Sequence, residues 1–205
     1  MSDHRHFFEA YAEGAQAPWD VGFPQPALVE AERRGWVRGS VLDVGCGSGE
    51  HALYFAAEGH DVVGVDVVPA AIERAAAKAA ARQLAAPPRF IVADVLRQPE
   101  ALGGRTFDTV VDMGFFHTLD DAERLAWRER LGELLVPGGS YVMVCFSELV
   151  TGDNGPRRIS EADIRGTFGD AGSLTVADLE RAEIQSSRSG PVTGVPAWLA
   201  RIERT

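Results

Sequence analysis

Val41-Leu42-Asp43-Val44-Gly45-Cys46-Gly47-Ser48-Gly49-Glu50 is the stretch on which the architecture of this chain turns. Its first four residues are an apolar run broken by a single acid, the pattern of a short buried parallel strand. The glycines at 45, 47 and 49 leave no side chain over the turn that follows. From Glu50 to Glu58 the chain is alanine-containing, with Leu53, Phe55 and Ala56 apolar, which predicts a helix. Strand, loop and helix together aim backbone N–H groups and a positive helix end at whatever lies above the strand's carboxyl end. A ligand is expected there.

The next apolar run tells what kind of ligand. Asp61-Val62-Val63-Gly64-Val65-Asp66 is apolar until the acid that closes it, and an acid there can accept two hydrogen bonds from a ribose diol. The loop, however, reads G-x-G-x-G with an acid two residues before the first glycine. It lacks the third glycine of G-x-G-x-x-G, so nicotinamide is the lesser reading.

Taken in order, four segments resemble the class I S-adenosylmethionine-dependent methyltransferases: the glycine loop, Phe90-Ile91-Val92-Ala93-Asp94-Val95, Phe107-Asp108-Thr109-Val110-Val111-Asp112, and Leu134-Leu135-Val136-Pro137-Gly138-Gly139 with Tyr141-Val142-Met143-Val144 after it. The resemblance implies an α/β fold, a Rossmann-like doubly wound seven-stranded sheet with its last strand antiparallel. It also implies S-adenosylmethionine as cofactor and S-adenosylhomocysteine as product. Gly45, Cys46, Gly47 and Gly49 would then approach the methionine part, and Asp43 would help hold its ammonium. Asp66 would bind the ribose and Asp94 the adenine amine, with Val67, Val95 and Leu96 as adenine walls and Asp112 at the cofactor's edge.

Composition bounds the rest. A chain of 205 residues with 45% hydrophobic content can bury one sizeable core, so one domain is expected over residues 1–205: a lid and helix over 1–36, a Rossmann-like core over 37–205. The net charge of -10 speaks against a nucleic-acid surface, which gains affinity from clustered Lys and Arg. Arg157-Arg158 reads as a solvated loop. No apolar run approaches membrane-spanning length and Met1 to His6 is polar, so a cytoplasmic protein without membrane contact is expected. Cys46 and Cys145 have neither metal nor disulfide spacing and read as small buried groups. His4 and His6 lack companion ligands, and no metal is expected. Monomer and homodimer both fit.

Ahead of the first strand, Phe7, Phe8 and Tyr11 lie at helical spacing, followed by Gly14 and then Pro18-Trp19-Asp20-Val21-Gly22-Phe23-Pro24-Gln25-Pro26. Two readings stand: an amphipathic helix with a proline-stiffened link, or a lid. The string resembles the leader of small bacterial thiopurine and tellurite-resistance methyltransferases. That resemblance implies that Trp19 closes over the cofactor, with Phe8 and Tyr11 toward the acceptor.

Ala27 to Trp36, Ala70 to Leu84 and Ala122 to Leu135 predict helices, the last with a core-facing stripe of Leu125, Leu131, Leu134 and Leu135. Met143 and Trp127 read as core. Pro99 to Arg105 reads as a loop, and residues 148–159 as a loop that could wall a substrate. Leu174 to Ile184 and Ala197 to Ile202 read as the final strands.

Asp112-Met113-Gly114-Phe115-Phe116-His117 bears on the acceptor. It departs from the Asn/Asp-Pro-Pro-aromatic string of amino-group methylases. Phe115 and Phe116 suggest an apolar pocket for a small, flat molecule, and His117 could take a proton from a hydroxyl or thiol, or merely orient the loop. The reading is methyl transfer to an oxygen, sulfur or nitrogen of a small aromatic or heterocyclic acceptor. A nicotinamide oxidoreductase and a non-catalytic nucleoside-binding protein are the alternatives from other classes.

Overall fold

The structure is a computed structural model and describes residues 5–12, 15, 17–152, 155–169, 172–187 and 190–205. In chain order its elements are α1 (Arg5–Ala10), α2 (Pro26–Arg33), β1 (Ser40–Val44), α3 (Glu50–Ala57), β2 (Asp61–Asp66), α4 (Pro69–Arg82), β3 (Arg89–Val92), β4 (Phe107–Met113), α5 (Asp121–Leu134), β5 (Leu135–Phe146), α6 (Glu161–Phe168), β6 (Leu174–Ser186) and β7 (Thr193–Arg204). His4 and Gly14 lie outside the described residues.

Valine-rich runs too apolar to face water on either side are the composition of a sheet covered by helices on both faces. Seven strands form it, in the order β3-β2-β1-β4-β5-β7-β6. β1 to β5 pair in parallel; β7 is antiparallel to both β5 and β6. The strand order reverses between β1 and β4, the switch point at which open α/β sheets hold ligands. In register, Val44 at the end of β1 stands beside Val65 of β2 and Asp112 of β4. The glycine loop, Asp66 and the Asp112–His117 turn therefore leave the sheet at one edge.

One face of the sheet is packed by Trp127, Phe107, Phe116, Tyr141 and Phe168; the other carries Leu28, Phe55, Val111 and Val142. On α5 the buried positions are Arg124, Trp127, Leu131 and Leu134, spaced by three and four. Leu125 sits one residue off that stripe, about 100° around the helix, and is 52% exposed, so it does not belong to the core as its apolarity suggested. Pro99–Leu102 is a 3-10 turn, not open loop, because Leu102 is buried under it.

Asp120 caps α5 with a reciprocal pair: its carboxylate accepts the Glu123 N–H at 2.9 Å while the Glu123 side chain accepts the Asp120 N–H at 3.2 Å. Asp120→Ala is expected to cost about 1 kcal/mol of stability. Urea unfolding of the two proteins, with equal slopes and a lower midpoint for the variant, is the check. No helix among the described residues is long and apolar enough to cross a membrane.

Candidate active site

A cavity of about 540 Å³ opens over the carboxyl ends of β1, β2 and β4, beneath residues 18–23 of the leader. Gly47 and Gly49 hold φ of +54° and +84°, the left-handed conformation that glycine adopts without strain. The turn can therefore hand over to α3 within one residue of the loop. Two acids trim it. Asp66 accepts the Gly47 N–H at 2.9 Å with Oδ2 and the Val68 N–H at 2.8 Å with Oδ1. Asp94 accepts the N–H groups of Leu96 and Arg97 and pairs with the Arg97 guanidinium at 2.6 Å.

Asp43 is placed differently from these two. It lies under the loop, 1% exposed, with the Ala52 N–H of α3 on its carboxylate and no partner for Oδ2 among the described residues. Burial raises its pKa well above the ordinary carboxylate value, the Ala52 N–H opposes this, and the nearby Asp112 and Asp66 raise it further. An unsatisfied buried carboxylate oxygen is costly to leave unpaired, and a cation brought to the glycine loop above it would relieve that cost.

Of the residues singled out from sequence, Trp19, Tyr11, Gly45, Cys46, Gly47, Gly49, Asp66, Val67, Asp94, Val95, Leu96, Phe115 and His117 all line this cavity. Three do not. Phe8 is 46% exposed on α1, while Phe7 of that helix and Tyr11 just after it pack inward. Phe116 is fully buried, stacked on Phe168 at 5.3 Å and under the Arg124 guanidinium. Asp112 is fully buried as well, and its carboxylate is occupied: Oδ1 accepts the Phe115 N–H, and Oδ2 accepts the Phe116 N–H and the Tyr141 hydroxyl at 2.5 Å. Burial lifts its pKa to about 7 against those bonds, so Asp112 shapes the turn and does not face a ligand.

His117 lines the cavity, but its ring is already committed. Nδ1 accepts the Phe146 backbone N–H at 3.0 Å, which leaves the ring proton on Nε2. The ring stacks against Phe146 with centroids 4.6 Å apart. Burial, with Arg124 and Arg158 adding, lowers its pKa to about 3. A neutral imidazole whose free nitrogen is an N–H is a donor, so the proton acceptor suggested by its residue type is not what this geometry offers.

A second histidine, His51, escaped the sequence reading. Its Nε2 accepts the Gln25 N–H at 3.0 Å, the ring lines the cavity, and burial brings its pKa to about 4 although Glu50 and Asp20 pull the other way. The available signal was its position, the second residue of the helix after the glycine loop, which places it over the same sheet edge.

The leader is latched at both sides of the cavity. Tyr11 is buried, accepts the Trp19 indole N–H at 3.1 Å, and its carbonyl accepts from Arg74 of α4. Ser48 of the loop donates to Asp20 at 2.5 Å and accepts from Lys78, which also pairs with Glu50 at 2.8 Å. On the far side, the Gln25 amide exchanges two hydrogen bonds with the Gln185 backbone, and the Pro18 carbonyl accepts the Ser187 N–H. Gly155, Pro156 and Arg157 from the 148–159 loop complete the wall there. Arg157, exposed as its loop position suggested, also pairs with the exposed Asp121.

Residues 41–139 match the family described as Methyltransferase domain. A 2-heptyl-1-hydroxyquinolin-4(1H)-one methyltransferase of Mycobacteroides abscessus is 33% identical over 178 residues, 86% of this chain and 76% of the relative. A probable thiol methyltransferase of Arabidopsis thaliana is 30% identical over 135 residues, 65% of this chain and 58% of that protein. Among solved structures, one from a study of the conversion of a disulfide bond into a thioacetal group during echinomycin biosynthesis superposes with a TM-score of 0.85 at 31% identity, over 100% of this chain and 93% of its own.

Proposed function

This chain belongs to the S-adenosylmethionine-dependent methyltransferases, and from that premise we propose that it carries a methyl group to an oxygen, sulfur or nitrogen atom of a small, flat, largely apolar acceptor. The observation that carries the acceptor reading is the mixed lining of the cavity: the glycine loop and the carboxylates of Asp66 and Asp94 together with the apolar Phe23, Phe115, Phe146 and Ile184. The relatives named for a hydroxyquinolone and a thiol support a heterocyclic or thiol acceptor. We further propose that residues 1–205 act as one unit, in the cytoplasm, without nucleic acid.

The residues fit the cofactor on grounds internal to the fold. Asp43 Oδ2 lacks a partner among the described residues, and an amino-acid ammonium at the loop above it would supply one. Gly45, Gly47 and Gly49 line the cavity without side chains, so a ligand can approach their backbone closely. Asp66 and Asp94 flank the half of the cavity lined by Val67, Val95 and Leu96, the arrangement a nucleoside needs.

When bound, S-adenosylmethionine supplies a methyl group already activated on a sulfonium. The chain therefore has to align the acceptor with it and keep water out. Trp19 and Tyr11 roof the cavity and exclude water; Phe115 and Phe146 fix the plane of a flat ring; Asp66 holds the loop in shape through the Gly47 N–H while offering oxygens to a diol.

Two measurements test the reading. Release of S-adenosylhomocysteine should be seen with members of a panel of small thiols, phenols, N-hydroxy heterocycles and heterocyclic amines; silence across the whole panel would count against it. Asp66→Ala should weaken cofactor binding by on the order of 10-fold, from charge-assisted hydrogen bonds lost, and unchanged affinity in calorimetry would remove Asp66 from the cofactor site.

A further inference from the structure

The two histidines of the cavity share one feature that neither shows alone. In each, one ring nitrogen is spent on a backbone N–H: His117 Nδ1 on Phe146, His51 Nε2 on Gln25. Each remaining nitrogen therefore carries the ring proton, and neither of these has a protein partner among the described residues or counts among the fully buried atoms. Both rings line the cavity. Two neutral N–H donors, locked in tautomer by the main chain, border a chamber whose other walls are largely apolar.

Apart from His6, an exposed imidazole beside Trp19 at the mouth, the described residues of the chamber include no group suited to removing a proton from an alcohol or an ordinary thiol. Asp20 and Glu50 are held by Ser48, Lys78 and Arg82; Glu123 is held by Arg97; Asp66 and Asp94 accept backbone N–H groups. A paired carboxylate is a poor base near neutral pH. The Tyr11 hydroxyl accepts from Trp19, and burial raises its pKa beyond the useful range. The charged groups facing the histidines do not change this: Arg124 of α5 and Arg158 of the 155–159 loop disfavour a proton on His117, while Glu50 and Asp20 favour one on His51 without overcoming its burial.

We propose that the acceptor is a small heteroaromatic compound with an O–H or S–H acidic enough to enter as its anion, and that His117 Nε2–H and His51 Nδ1–H are the neutral donors that hold it. The proposal rests on the methyl-transfer reading and narrows it. The anionic oxygen or sulfur forms its bond to the methyl carbon as the carbon–sulfonium bond breaks. The bonding pair passes to that sulfur, leaving a neutral thioether, and no proton changes place. Opposite charges vanish as the bond forms, so a dry chamber favours the step. Neutral donors suit it also: they keep the acceptor ionised without the full quenching an imidazolium would impose. Their hydrogen bonds are strongest to the bound anion and fade as its charge is lost, so their removal is felt in KM more than in kcat.

The experiment uses the full chain with S-adenosylmethionine and a graded series of ring-substituted thiophenols and N-hydroxypyridones, following S-adenosylhomocysteine release against pH. The acidic limb of kcat/KM is expected to move with the acidity of each acceptor. His117→Asn keeps an oxygen for the Phe146 N–H, and His51→Gln keeps one for the Gln25 N–H; each lacks the donor facing the cavity. Each should raise KM for an ionised acceptor by on the order of 10-fold while kcat changes by less than about 3-fold, and cofactor affinity in calorimetry should stay at the wild-type value. A limb fixed at one pH for every acceptor would establish an enzyme base, whether His117→Asn, His51→Gln or His6→Ala abolishes it, and would overturn the proposal with methyl transfer intact. Unchanged KM in both variants would overturn it equally. Absence of turnover with every acceptor would sink the methyl-transfer reading and this proposal with it.

Discussion

Replacing Asp43 by Asn is expected to lower affinity for S-adenosylmethionine by on the order of 100-fold while making the cofactor-free protein more stable above neutral pH. The two effects have one origin. The carboxylate is buried with one oxygen unpartnered, so ionising it in the empty protein is costly, and that cost is recovered when an ammonium is placed against it. The pH dependence follows in sign. Because the folded pKa is raised, the native protein keeps the Asp43 proton at pH values where the unfolded chain has released it. The stabilisation this provides is complete below the unfolded value near 4 and is lost as pH rises toward the folded one. Asparagine cannot ionise, so the difference in melting temperature between variant and wild type should be small at about pH 4 and grow in the variant's favour as pH rises. A constant difference across pH would show that Asp43 does not carry this burden. Calorimetry in buffers of different ionisation enthalpy provides a second reading, since a cation docking beside the wild-type carboxyl lowers its pKa and expels a proton; in the variant that proton should be missing.

Gly47→Ala is expected to weaken cofactor binding by at least on the order of 100-fold, and the added methyl would act through the lid. The residue is held at a φ of +54°, where a Cβ costs about 1–2 kcal/mol, and that Cβ would lie 2.5 Å from the Tyr11 hydroxyl. Tyr11 must retreat, and with it Trp19, whose indole N–H rests on the same oxygen. Tyr11→Phe removes the obstructing oxygen and leaves the ring carbon 3.6 Å away, an ordinary contact. The double variant should therefore recover affinity over Gly47→Ala alone, keeping only the backbone strain. Titration of both by calorimetry, with Trp19 fluorescence as a report on the roof, decides it. Equal weakness of single and double variants would mean that the loop, not the lid, is what the methyl disturbs.

The placement of the glycine loop and Asp66 at one sheet edge was legible in the sequence because backbone geometry dictates it. Glycines at 45, 47 and 49 and the strand-closing acid at 66 are where they are because few other residue types allow that turn and that register, and Asp66 indeed meets the Gly47 N–H. The acceptor half was less so. In the 3-10 turn Phe116–Thr118, successive side chains diverge by about 120°, so Phe115 and His117 reach the cavity while Phe116, identical in type to its neighbour, is driven into the core. Nothing in the residue string says which aromatic goes where. Asp112 looked like a ligand group because it ends a strand at the right edge; the Tyr141 hydroxyl and two backbone N–H groups claim it first. His51 and Gln25, 26 residues apart, form a contact that no local pattern encodes. The chemistry of His117 depended on the partner of one ring nitrogen, a matter of tertiary structure that residue type leaves open.

The clasp between Gln25 and Gln185 joins positions 160 residues apart. Closing so long a loop has a high entropic cost and yields few contacts until the strands between have assembled, so this seam belongs among the late events when the polypeptide acquires its shape. The glycine turn, by contrast, needs only its near neighbours. On the proposed assignment, the part of the cavity offered to the nucleoside takes shape before the wall opposite it is closed.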